Sequence, residues 1–290
     1  TVRAVAYNAL QVVYRETGKM DQAIEACKLG LPEALAGGQI GTIVTAYRIL
    51  GGTLTIQGKL SQAAAVYRQG LTTAETRSEA RYPTYSLLRL HLADLNYLWN
   101  QIEITEDLLK QSQDLLESAG NTWGMVYLRY LLCLVKLASG DRLGIPPILL
   151  EMEQIASRVP GAYYTEGLKT MVIMIKARIG MVNRGDLEDW IVPGTLPKEP
   201  TTTQLEHMVY QAHVLVYLSS DSPPDILGTL AEIENIASHR GHMFWVIEIK
   251  ILEAMVWQKF GSLDHALASL ERALALAEPE AIIRLFLDEG

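Results

Sequence analysis

Residues 241–290 read GHMFWVIEIKILEAMVWQKFGSLDHALASLERALALAEPEAIIRLFLDEG. Two helical patterns in this stretch are joined by a tight break at Gly261-Ser262. The second pattern carries small residues at Ala266 and Ala273, where a neighbouring helix can approach closely. Ala277-Glu278-Pro279-Glu280 ends it, because proline lacks the amide proton a helix interior needs. The chain then runs into Arg284, Phe286, Leu287, Asp288, Glu289 and Gly290. Everything upstream reads as earlier, less regular copies of the same two-helix unit.

The copies are set out by their breaks. Gly18, Gly58, Asn100 and Gly140 each end one amphipathic run and precede another, at intervals of 40, 42 and 40 residues. Further breaks near Gly185, Asp221 and Gly261 follow at 45, 36 and 40. Glycine and asparagine suit these points because they enter the left-handed conformation that ends many helices. The first pair spans about 2–17 and 21–36, with Leu10, Tyr14, Ala23 and Cys27 at core spacing. The second repeats the pattern, with small residues at Gly51, Ala63 and Gly70. Pro146-Pro147 falls in the first turn of a helix, where missing amide protons are tolerated. The fifth pair is irregular: the proline-rich segment 192–201 predicts an internal surface loop. No segment alternates with the period of a strand. A small–large alternation around a glycine turn resembles the tetratricopeptide repeat, although these units exceed its usual length of about 34 residues. The expected fold is therefore all-α: a right-handed superhelical solenoid of about seven antiparallel helix pairs, forming one domain over residues 1–290.

Bulk properties narrow the function. The chain is 49% hydrophobic and 20% charged, with a mean hydropathy of +0.12, which suits stacked helices buried on more than one face. A net charge of −8 argues against direct contact with nucleic acid, which needs a basic face. Cys27 and Cys133 sit inside apolar helical patterns and read as buried free thiols. The most apolar runs, such as 127–138, are interrupted by Arg129 and Lys136 and are too short to span a bilayer. No signal peptide is visible, so a cytoplasmic location is expected. The start at Thr1 and the stop at Gly290 suggest a domain excised from a longer chain.

Catalytic and metal chemistry find little support. Residues 51–61, GGTLTIQGKLS, miss the phosphate-loop pattern at two points: Thr53 stands where glycine is needed, and Leu60 intervenes before Ser61. Six histidines include His239 and His242 around one turn, with no further ligand near them in sequence. His207 and His213 do not share a helical face. No metal site and no enzyme activity are expected, since a site needs three or four converging ligands and no motif marks a nucleophile. Glu103, Glu106 and Asp107 read as a solvated face. The tryptophans at 123, 190, 245 and 257 read as packing residues.

Three stretches carry a resemblance to a known family. Leu98-Trp99-Asn100-Gln101-Ile102-Glu103 resembles a Trp-Asn-x-x-Glu turn in the middle repeats of MalT-like transcription regulators, the large ATP-dependent LuxR-type activators. Ala177-Arg178-Ile179 followed by Arg184-Gly185-Asp186-Leu187 resembles that family's Ala-Arg…Gly-Asp-Leu segment, with one extra residue here. Residues 273–290 are similar to the family's domain ending, with Ala281 standing at or near a usual glycine. The resemblance implies an ATP-binding module upstream and a DNA-binding helix-turn-helix downstream. Between them, a helical sensor takes a small-molecule inducer or a regulatory protein. No cofactor is implied for residues 1–290 themselves, and self-association is a further partner class.

The first helix of each pair lines the inner groove of a tetratricopeptide array. Counting back from the breaks places Thr45, Arg48, Asp94, Tyr97, Tyr127 and Tyr130 on that surface. A guanidinium, a carboxylate and phenols can orient a polar ligand or peptide. The competing expectation is a general scaffold that holds other proteins and takes no inducer.

Overall fold

The structure, a computed structural model, describes residues 2–77, 82–158, 162–182, 199–218 and 223–289. Among these residues there are fourteen α-helices and no strand. The helices are α1 (Val2–Glu16), α2 (Met20–Gly37), α3 (Ile40–Ile56), α4 (Leu60–Thr76), α5 (Ser86–Leu98), α6 (Ile102–Ser118) and α7 (Thr122–Ala138). They continue as α8 (Ile145–Ala156), α9 (Ala162–Arg178), α10 (Thr202–Leu218), α11 (Pro223–His239), α12 (Met243–Lys259), α13 (Leu263–Ala277) and the single turn α14 (Arg284–Leu287). Successive helices pack on one another as antiparallel pairs, and the pairs stack. The chain is an all-α, tetratricopeptide-like solenoid. The proline-rich segment lies outside the described residues over 192–198, as do the breaks expected at Gly185 and Asp221.

Regularity is higher than the 40-residue period conveyed. Left-handed residues stand at Gly18, Gly38, Gly58, Asn100, Gly120, Gly140, Gly180, Gly241, Gly261 and Ala281. Most are 20 residues apart, because helices of 17 residues alternate with three-residue turns. At most of these ends the next amide reaches back to satisfy a last-turn carbonyl, as in Lys59 N–H to Leu54 O at 2.9 Å and Gln101 N–H to Asn96 O at 2.8 Å. That satisfies one of the carbonyls a helix end would otherwise leave open. After α9 the left-handed residue is Gly180, five positions before the expected break.

Small residues set the curvature. At Gly51 an added Cβ would lie 2.3 Å from Cε1 and 2.4 Å from Cζ of Tyr67, so the Tyr67 ring passes through the notch Gly51 leaves in α3. At Gly70 a Cβ would meet Leu88 and Tyr47. The array curls until its ends meet. α1 packs on α10, and α12 packs on α3. Thr203 N–H donates to Glu16 Oε2 at 3.0 Å, and Ser61 N–H donates to Glu280 Oε2 at 2.7 Å. Leu10, expected in the core, is 39% exposed; Ala4 and Gln11 are the buried residues of α1. Cys27 and Cys133 are free and buried, and burial pushes both thiols up to about 12.

The last residues form a strap across the ring. Ile283 N–H donates to Leu98 O at 2.9 Å, Trp99 Nε1–H to Glu280 O at 2.8 Å, and Arg284 Nη1–H to Asn100 Oδ1 at 3.2 Å. Beyond this clasp, Arg178 pairs with Asp288 at 3.3 Å and Glu289 at 2.8 Å. Tyr97 donates to Asp288 Oδ2 at 2.8 Å, and Tyr217 donates to Glu289 Oε1 at 2.6 Å. Side-chain exposures of 12% for Arg178, 6% for Asp288 and 5% for Glu289 put this network out of water. Burial opposes the charge on Arg178, but Tyr217, Glu289, Tyr130 and Asp288 outweigh it and hold the guanidinium charged.

Two substitutions test these contacts by urea unfolding. Gly51→Ala should lower the unfolding free energy by about 2 kcal/mol, because neither α3 nor the buried Tyr67 ring can retreat. Arg178→Ala should lower it by about 3 kcal/mol, since buried Glu289 loses its cation and Asp288 keeps only Arg284. Unchanged midpoints would mean that the notch and the strap are looser than described.

Candidate functional site

Curling leaves a partly open cavity of about 260 Å³ on the axis of the ring. Its wall is a set of stripes, one from each inner helix, repeating at the three- and four-residue spacing that keeps side chains on one face. Arg48, Gly52, Thr55 and Ile56 come from α3; His91, Asp94, Leu95 and Leu98 from α5; Trp123, Tyr127, Tyr130 and Leu134 from α7. On the opposite side α10 contributes Glu206, Tyr210 and His213, and α12 contributes Phe244, Trp245 and Glu248. Arg15 of α1, Met174 and Arg178 of α9, and Leu285 and Asp288 of the strap complete it. Tyr67 reaches the wall from the outer helix α4 through the Gly51 notch.

Five rings form a continuous aromatic surface. Tyr67 stacks on His91 with centroids 5.4 Å apart and planes at 14°. His91 meets Tyr127 at 5.5 Å, Trp123 meets Tyr127 at 4.9 Å, and Tyr127 meets Tyr130 at 6.5 Å. Carboxylates stand beside it. Tyr127 OH donates to Asp94 Oδ2 at 2.8 Å, and Tyr210 OH donates to Glu206 Oε1 at 3.3 Å. His213 Nε2 lies 3.7 Å from Glu248 Oε1. Both ring nitrogens of His213, Nε2 of His91 and Oε2 of Glu248 are buried, and the protein gives none of them a hydrogen-bond partner. Such atoms are rare inside proteins and each needs an explanation.

Arg48, Asp94, Tyr97, Tyr127 and Tyr130, all expected on an inner surface, line this one cavity. Thr45 does not. It lies on the same stripe as Arg48 but one turn nearer the start of α3, half-buried and outside the lining. Tyr97 is committed elsewhere: its hydroxyl holds Asp288, and Arg284 sits over its ring at 5.4 Å. Sequence reasoning missed Tyr67, His91, Glu206, Tyr210, His213 and Glu248. Continuing the stripe count back from the Gly261 end into α12 would have reached Glu248. Trp123 and Trp245, read as packing residues, also face the cavity.

Among the described residues no group of three histidine, cysteine, aspartate or glutamate side chains could hold a metal ion. No helix there is long and apolar enough to cross a membrane. A family model described as the MalT-like TPR region matches residues 1–290 of the chain. No curated protein sequence gives a significant match. Stacked helical repeats of this kind serve binding and interaction through their inner surfaces.

The cavity holds its charged groups away from their ordinary behaviour. Burial raises the Asp94 carboxyl to about 6, against the hydrogen bond from Tyr127 and with the charge of Glu248 adding to it. Burial likewise raises Glu206 to about 7, opposed by Arg15 and the Tyr210 hydroxyl and helped by Glu248 and Glu16. His91 is pushed down to about 3 by burial, then by Arg48 and Arg15, and stays neutral. Asp94 and Glu206 bind protons more tightly folded than unfolded, where their values are about 4. Their contribution to stability is full below about pH 4 and is lost as pH rises through 6 and 7. Asp94→Asn and Glu206→Gln should therefore each unfold later than wild type at pH 8, by about 1 kcal/mol. The advantage should close by pH 4, as read in urea titrations at both pH values.

Proposed function

The chain belongs to the MalT-like TPR region family, and from that premise we propose that it is the ligand sensor of a MalT-like, LuxR-type bacterial transcriptional regulator. The inducer would sit in the axial cavity. The observation that carries this reading is the set of buried polar atoms on the cavity wall for which the fold supplies no partner, at Arg15, His91, Arg178, His213 and Glu248. A fold assembled for stability alone would satisfy such groups or replace them with apolar ones. A volume of about 260 Å³ suits a small molecule and excludes a folded protein, which favours an inducer over a regulatory partner inside the ring.

The same geometry offers a way to transmit occupancy. Asp288 and Leu285 of the strap line the cavity beside Tyr97 and Arg178, the residues that hold the strap down. An occupant that competes for Asp288 or moves Arg178 shifts the balance between a docked and a released strap. In the proposed setting ATP binds an upstream module, DNA binds a downstream helix-turn-helix, and residues 1–290 carry neither chemistry and no catalysis. The protein works in the cytoplasm.

A second reading, a scaffold for other proteins, rests on a separate feature. The outer helix α13 presents Leu263, Leu267 and Leu274 to solvent, an apolar stripe that a partner or a second copy could cover.

The test is a thermal-shift titration of the protein against a defined panel of sugars, amines, amino acids and nucleotides. At least one compound should raise the melting temperature saturably. Arg48→Ala and Tyr130→Ala should each weaken that response tenfold or more while moving the unliganded melting temperature by only a few degrees. A panel without any saturable response, or a response that both variants keep, overturns the cavity reading and leaves the scaffold.

A further inference from the structure

We propose that the cavity takes an amine-bearing organic cation, seated against the aromatic wall and held by the carboxylates of Asp94, Glu206 and Glu248. This deepens the sensor reading and rests on it. The argument begins with which charges are already answered. Arg178 is held between Asp288 and Glu289, and Arg15 pairs with Glu16 at 2.9 Å. Asp94 and Glu206 accept hydrogen bonds from phenols, which carry no charge. Glu248 is 8% exposed, has one oxygen without a partner, and stands 3.7 Å from a histidine that is itself 3% exposed and without hydrogen bonds. Three carboxylates thus face one cavity, against Arg48 and a guanidinium shared with Glu16.

These carboxylates also act on one another. The charge of Glu248 makes ionisation harder at both Asp94 and Glu206. An ammonium group between them would relieve that repulsion and give Glu248 Oε2 the donor it lacks. The Tyr67–His91–Trp123–Tyr127–Tyr130 surface offers ring faces that attract a cation, most strongly where water is excluded. An anion would add to the repulsion these carboxylates already exert on one another. An uncharged polyol could satisfy the hydrogen bonds but would leave the repulsion in place.

Isothermal titration calorimetry of the protein with two matched pairs of probes separates these cases. The pairs are putrescine against 1,4-butanediol, and tyramine against its alcohol, 4-(2-hydroxyethyl)phenol. At least one amine should bind at least tenfold more tightly than its alcohol. Glu248→Gln and Asp94→Asn should each weaken that amine tenfold or more with the far-UV circular dichroism unchanged. Glu103→Gln, on the exposed face of α6, should bind as wild type does. Alcohols that bind as tightly as the amines, or amines that do not bind, overturn the proposal. If amines fail but an uncharged or anionic compound of the thermal-shift panel binds and Tyr130→Ala abolishes it, the cation class falls and the sensor reading stands. If nothing in the panel binds, both fall together.

Discussion

Burying two guanidiniums and two carboxylates inside a helical array is unfavourable unless each satisfies the others, and the rest of the architecture follows from how that is done here. Arg178 ends α9, in the fifth pair, while Asp288 and Glu289 lie at the far end of the chain. Their pairing requires the solenoid to bring its end back across its middle. Tyr97 from α5 and Tyr217 from α10 add hydroxyl donors from two further repeats. The strap can therefore dock only when three separate parts of the array, α5, α9 and α10, hold their native curvature. Small residues such as Gly51 make that curvature possible, and the strap consolidates it.

The cavity shows the opposite balance. Its wall keeps polar atoms without partners and carboxylates whose ionisation burial resists. Each lowers the stability of the empty ring relative to an apolar filling. Sites that bind a ligand commonly carry such a deficit, because what the fold leaves unsatisfied the ligand can satisfy. Strap and cavity share Tyr97, Arg178 and Asp288, so the network that ties down the chain end touches the wall with unsatisfied polar atoms.

Much of the fold was legible in the residues. Glycines at helix ends and apolar periodicity placed α1 and α2 within a residue of their observed bounds. The family resemblance rested on the Trp99-Asn100 turn, the Ala177-Arg178 segment and the chain ending, and the structure brings all three into one set of contacts. Closure of the ring was not legible. It depends on the angle accumulated between pairs, which no periodicity records, and it turns an expected open groove into a cavity. The site was half legible for the same reason. Stripe counting found Arg48, Asp94, Tyr127 and Tyr130, but it could not show that Glu206, His213 and Glu248 face them across the axis. Nor could it show that Tyr67 reaches the wall from an outer helix.

A linear stack of repeats touches only nearest neighbours, so its terminal units can fray while the middle stays folded. Here α1 rests on α10, α3 on α12, and the chain end on α5 and α9. Peeling either end removes contacts from the other, which takes away the cheap partially unfolded states an open array would populate. The molecule trades the graded melting of a repeat protein for the all-or-none behaviour of a closed one. It also takes on the slower search for long-range contacts that closure demands.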